Sequence, residues 1–171
     1  AALVPVIAAI ELIAMYADTP AQYAAMIRWG HVPVALLYIL LLVYVHRRFG
    51  AGRSWLLLAA CLVRASVLVP NFLFGDNLNF TKVESLGQLH AWGGEVVKVP
   101  IGQGSAWTLL GQLSYVLMAW YLLDVIRTVW RRGGPEQRRS AVLVCGSIIL
   151  FILLHNAINL LVILGYLHLP F

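Results

Sequence analysis

The side chains with the clearest chemical potential in this sequence are charged groups inside long apolar runs. Glu11 and Arg64 each lie well away from the ends of their run. If these runs cross a bilayer, a buried charge is costly and needs a partner, so each becomes a candidate site. At 1.5 Å per helical residue, Glu11 lies about 10 Å below Asp18. Arg64 lies about 15 Å below Phe74 by the same rise. The sequence predicts a buried Glu11–Arg64 ion pair, with a purely structural Arg64 bound to carbonyls and hydroxyls as the alternative.

Further polar residues fall at a comparable depth in two later runs. His155 and Asn159 share one helix face because they are four residues apart, and Asn156 lies beside them. Ser114 accompanies Gln112 and Tyr115 in the preceding run. We predict a polar layer that could bind a small ligand, although interhelical hydrogen bonding would also explain such residues. The candidate site residues are Glu11, His31, Arg64, Asn71, Gln112, Tyr115, His155 and Asn159.

Metal and cofactor sites have weaker support. Glu11 and Met15 are one helical turn apart and could join His31 in a soft metal site, but this spacing is generic. His31 and His155 lie at different depths, which disfavours axial ligation of one haem. No metal or cofactor is therefore predicted.

Catalytic motifs and cysteine patterns also argue against an enzyme in this segment. Cys61 and Cys145 lie inside apolar runs without metal or redox spacing, which is typical of small buried hydrophobes. The sequence contains no Gly-rich phosphate loop, HExxH or nucleophile elbow. We expect no enzymatic activity here, while a full-length protein could still carry one.

Composition identifies the elements that must position these residues. Of 171 residues, 61% are hydrophobic and 11% are charged, which indicates a polytopic membrane protein. The predicted fold is an all-α helical bundle in one domain, 1–171. A bilayer core of about 30 Å needs about 20 helical residues. Five windows are long and apolar enough to cross it and are predicted to be transmembrane helices: 1–17, 30–46, 54–74, 106–126 and 140–167.

Arginine positions predict the orientation of these windows. The links 47–53 and 127–139 hold eight of the twelve Lys and Arg residues. Cytoplasmic loops are rich in Lys and Arg, so both links are predicted to be cytoplasmic and the segment 75–105 extracytoplasmic. Topology thus explains the net charge of +5, and no nucleic-acid partner is needed. We expect a multi-pass membrane protein. Asp124 is predicted to pair with Arg127 on the helix surface.

The extracytoplasmic segment 75–105 is predicted to form a β-hairpin. FTKVESLGQLHAW and EVVKVPIG flank Gly93 and Gly94, and β-branched residues around a Gly-Gly pair favour two strands and a tight turn. Pro100 and Gly102 are expected to close the second strand, with an irregular loop as the alternative. Ser105 can cap the following helix.

The link between the first two windows predicts a separate short helix. Thr19 is suited to the N-cap, Pro20 to the first helical position and Gln22 to a capping box. This helix is expected to lie at the membrane interface and to end at Arg28 and Trp29.

Four stretches of the chain carry a family resemblance: ELIAMYADTPAQYAAMIRWGHVPV, FGAGRSWL, PNFLFGDNLNFTKVESLG and GQLSYVLMAWYLLDVIRTVWRRGG. In this order they resemble the N-terminal multi-helix membrane sensor region of bacterial PAS-containing two-component sensor histidine kinases. The resemblance covers nearly the whole chain. Position by position it picks out Glu11, Met15, Tyr23, Trp29, His31, Arg53, Asn71, Asn77, Asn79, Gln112, Ser114, Asp124, Arg131 and Arg132. It implies a module of about seven helices, with one before 1–17 and one after 140–167. It also implies a homodimer, cytoplasmic signalling domains and a location in the bacterial inner membrane.

We therefore expect a membrane-embedded sensory input module that detects an extracytoplasmic or membrane-dissolved signal. The first alternative is a structural subunit of a larger respiratory or photosynthetic complex, with Trp-rich and Tyr-rich faces against neighbouring helices or pigments. The second is a small transporter. Transporters normally show an internal repeat, and this sequence shows none, so this alternative ranks last.

Overall fold

The computed structural model describes residues 3–90 and 96–163. Most of this part of the chain is helical, and one pair of strands interrupts the helices. The elements are α1 Leu3–Met15, α2 Pro20–Phe49, α3 Ser54–Ser66, α4 Leu68–Leu73, β1 Phe80–His90, β2 Val96–Gly104, α5 Thr108–Arg132 and α6 Pro135–Ile163.

Four helical stretches are long and apolar enough to cross a membrane. They are Pro20–Phe49, Ser54–Leu73, Thr108–Arg132 and Pro135–Leu154. Many large apolar side chains point outward from them, among them Leu58, Leu62 and Val116, each about 60% exposed. Such surfaces suit lipid rather than water. Length and composition thus support the predicted helical membrane protein. The first of the five predicted spans is not among these four, because α1 has 13 described residues, a rise of about 20 Å.

The predicted break after Trp29 is wrong, because α2 is one continuous helix of 30 residues. The start of this helix is as predicted: the Thr19 hydroxyl accepts a hydrogen bond from the Gln22 N–H at 3.2 Å, and Pro20 occupies the first turn. Gly30 does not end the helix. Instead it lets α1 approach, since a Cβ at Gly30 would lie 3.3 Å from Cγ2 of Ile10.

The main core lies where α2, α3, α5 and α6 meet. Leu42, Leu56, Met118 and Leu122 are fully buried there. Cys145 is buried and Cys61 is partly buried, and both are free thiols. The small residues Ala60 and Ala141 also belong to this cluster. Small side chains let helices approach closely, which is how helices in a membrane gain packing energy.

The segment between α4 and α5 forms the predicted hairpin. β1 pairs antiparallel with β2, from Phe80 opposite Gly104 to His90 opposite Val96. The proposed Gly93–Gly94 turn lies outside the described residues. The second strand continues beyond Pro100 and Gly102 to Gly104. At Gly102 the strands approach so closely that a Cβ would clash with the Lys82 backbone.

Contacts place the two arginine-rich links at one end of the bundle and the hairpin at the other. In the turn between α2 and α3, the Arg53 N–H donates to Asp124 Oδ2 at 2.8 Å, and its Nε lies 3.7 Å from Oδ1. Asp124 therefore pairs with Arg53 across helices, not with Arg127 as predicted. At the opposite end, the Thr108 hydroxyl donates to the Leu78 carbonyl at 3.2 Å.

Ser105 stabilises the approach to α5 rather than its N-cap. Its hydroxyl accepts from the Trp107 N–H at 3.2 Å, and its carbonyl accepts from the Thr108 hydroxyl at 2.8 Å. The N-cap position belongs to Trp107. The predicted cap thus lies two residues before that position.

Candidate functional site

The candidate site is a buried arginine between two tyrosines in the middle of the bundle. Arg64 of α3 is only 3% exposed. Its guanidinium carbon lies 4.9 Å from the ring centroid of Tyr38 on α2 and 4.9 Å from that of Tyr115 on α5. The two rings meet edge to face, with centroids 5.5 Å apart. The guanidinium group of α3 therefore lies between one aromatic ring on α2 and one on α5.

The polar contacts of Arg64 leave part of its hydrogen-bonding capacity unused. Its Nη1 donates to the Ser114 hydroxyl at 3.3 Å, which is long for a charge-assisted bond. The Ser114 hydroxyl in turn donates to the Gly111 carbonyl at 2.6 Å. Nε of Arg64 is buried without a hydrogen-bond partner. In residues 3–90 and 96–163, no carboxylate lies within 4 Å of this guanidinium.

The predicted Glu11–Arg64 ion pair is wrong because the two residues lie at different heights. Ile10, next to Glu11, packs beside Gly30 of α2, whereas Arg64 packs beside Tyr38. These α2 positions are eight residues apart, a rise of about 12 Å. Glu11 is exposed on α1. The prediction measured the depth of Glu11 from Asp18 and the depth of Arg64 from Phe74, as if both lay at the same level. Asp18 lies in the turn between α1 and α2, at a different level from Phe74, so the predicted depth of Glu11 was wrong.

Of the predicted polar layer, the structure brings Arg64, Ser114 and Tyr115 together. Gln112, two residues before Ser114, is half-buried. Sequence reasoning missed Tyr38. A sequence pattern could have identified it, because Tyr38 lies ten residues from Arg28 along α2 and Arg64 lies ten residues from Phe74. This equal spacing places Tyr38 and Arg64 at one depth only if Arg28 and the end of α4 lie at the same level, which the structure shows and the sequence does not.

Helix α6 completes one wall of the site. The rings of Tyr38 and Phe151 have centroids 6.4 Å apart. Five residues further along α6, Asn156 has a buried Oδ1 without a hydrogen-bond partner. His155 and Asn159 fall within α6, but their side chains lie outside the described part of the structure, so their place in the polar layer stays a prediction.

Asn71, another predicted site residue, joins α4 to α2 and to the base of the hairpin. Asn71 is fully buried. Its Nδ2 donates to the Arg28 carbonyl at 2.8 Å, and its Oδ1 accepts from the Leu78 N–H at 3.0 Å. Arg28 donates to the carbonyls of Gly75 and Asp76, both at 2.7 Å. These bonds fasten the base of the hairpin to α2. Nδ1 of His31 contacts the Ile27 carbonyl of its own helix at 2.8 Å.

The described residues also bear on the weak metal candidates Glu11, Met15 and His31. Among residues 3–90 and 96–163, no group of three or more His, Cys, Asp or Glu side chains is placed to hold a metal ion. The site that the geometry does assemble is cationic and aromatic. It suits an anionic or hydrogen-bond-accepting group rather than a cation.

Fold and site together define a class, a helical bundle in which four helices are long and apolar enough to cross a membrane and a buried cation lies between aromatic rings. Beyond that class, no protein-family model, curated protein or solved structure matches the chain. The resemblance to histidine kinase sensor regions therefore stays an expectation from the sequence.

Proposed function

We propose that this chain is a membrane-embedded sensory input module that detects a membrane-dissolved or extracytoplasmic signal. The detecting site would be Arg64 with Tyr38, Tyr115 and Ser114, which we call the Arg64 cage. The observation that carries the proposal is the burial of Arg64 without a carboxylate within 4 Å in the described part of the chain. A charged residue inside a membrane span is costly and is by default a candidate functional site.

Energetics favour a functional role for this arginine. Removing an ion from water costs several kcal/mol even after relaxation. Each of the two cation–π contacts returns about 2 kcal/mol when desolvated, and Arg64 adds one long hydrogen bond. An apolar side chain would hold the same helices without the cost of removing an ion from water. The unpaired Nε supplies a donor that a signal with a carboxylate or carbonyl oxygen could occupy.

The position of Arg64 also offers a route for transmission. A ligand shifts a conformational equilibrium only if it binds one arrangement better than another. Arg64 contacts α2 and α5 from α3. At the arginine-rich end, the Arg53–Asp124 pair joins the start of α3 to α5. A ligand that draws Arg64 away from Tyr38 or Tyr115 would thus change the α3–α5 packing, and the change would reach the opposite end.

The proposed setting follows the arginine asymmetry and the family resemblance. The protein would lie in the bacterial inner membrane with 47–53 and 127–139 in the cytoplasm and 75–105 outside. It would act as a homodimer and pass its signal to its own cytoplasmic signalling domains.

The test replaces Arg64 in the full-length gene of the source organism. Arg64→Met should reproduce the transcript changes of a deletion strain, while membrane levels of the protein stay at wild type. Arg64→Lys keeps the positive charge but lacks the planar guanidinium group with its several N–H donors, and it should give an intermediate response. Cys61→Ala, on the same helix and outside the cage, is the matched control and should behave as wild type. A wild-type transcript pattern in Arg64→Met would refute the sensory role of the cage.

A structural subunit remains the second candidate because of one surface feature. Trp55 and Trp120 form an edge-to-face pair with centroids 6.2 Å apart, and each is more than half exposed. An exposed aromatic pair suits a contact with a neighbouring membrane helix. Copurification with another complex in fixed stoichiometry, lost in Trp120→Ala and kept in Arg64→Met, would favour this function over sensing.

A further inference from the structure

A second cationic site lies at the arginine-rich end, separate from the Arg64 cage. The turn between α2 and α3 and the last turns of α5 enclose a cleft of about 350 Å³. Arg53 lines it from the turn, and Arg127, Arg131 and Arg132 line it from α5. Asp124 is the acidic residue in the lining.

Charge is poorly balanced within this cleft. Asp124 is already engaged by the N–H and Nε of Arg53. Arg127, Arg131 and Arg132 are exposed, and in the described parts of the chain no carboxylate lies within 4 Å of them. Arg127 and Arg131 are four residues apart on one helix face, where like charges repel. Four arginines and one aspartate leave a net charge of +3 facing a single concave surface.

Local backbone geometry holds the two sides of the cleft together. Gly50 and Gly52 adopt positive φ values of 55° and 89°. A Cβ at Gly52 would lie 2.7 Å from Cγ2 of Val125, so only glycine lets the turn descend onto α5. This close approach places Arg53 across from the α5 arginines. A general positive-inside bias requires arginines at this end of the bundle, but it does not require them to converge on one cleft.

We propose that this cleft binds a phosphate group, either as the headgroup of an anionic phospholipid or as free phosphate. Guanidinium groups match phosphate oxygens through paired, charge-assisted hydrogen bonds. Thr128, which also lines the cleft, can donate one more. The cleft lies where α5 ends, at the level of the lipid headgroups if the four long helices cross the membrane. Its volume exceeds that of a bare phosphate ion and leaves space for a glycerol unit.

The experiment compares two charge-matched double variants of the purified chain in a neutral detergent. One combines Arg127→Gln with Arg131→Gln inside the cleft. The other combines Arg47→Gln with Arg139→Gln, which are exposed arginines of the same end outside the cleft. Calorimetry measures binding of short-chain phosphatidylglycerol, short-chain phosphatidylcholine and inorganic phosphate. Thermal unfolding verifies that both variants are folded.

Phosphatidylglycerol should bind the cleft variant at least about tenfold more weakly than wild type, since each arginine near a headgroup contributes about fivefold. The control variant should change by less than about twofold. Tight phosphatidylglycerol binding that millimolar phosphate does not displace identifies a lipid headgroup as the ligand. Phosphate binding of similar strength, lost in the same variant, identifies the free ion. Equal losses in both double variants, or no loss in either, would overturn the proposal, as would equally tight phosphatidylcholine binding in all three proteins.

Discussion

At the scale of single residues, Arg64 is a buried charge with no carboxylate within 4 Å in the described part of the chain. Two aromatic faces and the Ser114 hydroxyl surround it, and part of its donor capacity is left over. Two desolvated cation–π contacts of about 2 kcal/mol each are comparable with the several kcal/mol that the burial of an ion costs. An apolar side chain at this position should therefore stabilise the fold about as well as Arg64 does.

Unfolding measurements separate this interpretation from a structural one. Arg64→Met should leave the thermal midpoint in mild detergent unchanged or raise it, because a buried charge is replaced by an apolar side chain of similar length. Tyr38→Ala should lower stability by about 3 kcal/mol, since it opens a cavity and uncovers the charge. Tyr38→Phe keeps the ring and serves as the control. A loss in Arg64→Met as large as that in Tyr38→Ala would mean that Arg64 is mainly an anchor.

At the scale of elements, the turn between α2 and α3 sets how closely α3 and α5 pack. Gly50 ends α2 in the left-handed region, and its N–H donates to the His46 carbonyl at 2.9 Å. Gly52 has a positive φ and also packs against Val125 and Tyr121. Both positions thus need glycine because of their positive φ, and Gly52 needs it also because a Cβ there would overlap α5.

Alanine substitutions at these two glycines form a matched pair. Gly50→Ala should cost about 1 kcal/mol, because a Cβ there meets nothing within 4 Å and only the left-handed backbone is penalised. Gly52→Ala adds overlap with α5 and should cost at least about 2 kcal/mol more. Thermal unfolding of both variants in the same detergent measures the difference. Equal effects would show that the turn does not control the approach of α5.

At the scale of the whole molecule, the two ends of the bundle differ in chemistry. One end carries the arginine cleft beside the α2–α3 turn. The other carries the hairpin, which Arg28 and Asn71 fasten to the helices. The Arg64 cage lies between these ends. Under the proposed sensory role, a signal that enters from the hairpin side would meet the cage before it reached the arginine-rich end.

Cysteine labelling tests the sidedness directly. In a Cys61→Ala, Cys145→Ala background, Ser85→Cys places one thiol on an exposed position of β1 and Gln137→Cys places one at the start of α6. An impermeant maleimide added to intact cells should label Ser85→Cys, and should label Gln137→Cys only after permeabilisation, because arginine-rich links stay in the cytoplasm. The background protein without added cysteine is the control. The reverse pattern would invert the topology and place the phosphate cleft outside.

The sequence by itself determined the local features of this protein. Long apolar runs, the strand pair on either side of the glycines and the Thr19 cap all depend on neighbours along the chain, and hydropathy, β-branching and capping chemistry encode them directly. In the described residues, four of the five predicted runs form helices long enough to cross a membrane. Sequence also identified Arg64, Ser114 and Tyr115 as polar residues at one depth.

Only the tertiary structure decided how far each helix is shifted along its neighbours. The close approach of α1 at Gly30 moves Glu11 away from Arg64, and the approach of the turn at Gly52 brings Arg53 rather than Arg127 to Asp124. Such offsets depend on how two apolar surfaces fit together, which no local pattern specifies. A shift of about two helical turns is enough to replace the predicted ion pair by contacts with two aromatic rings. The partners of a buried charge therefore depend on how the helices pack, which the sequence alone does not determine.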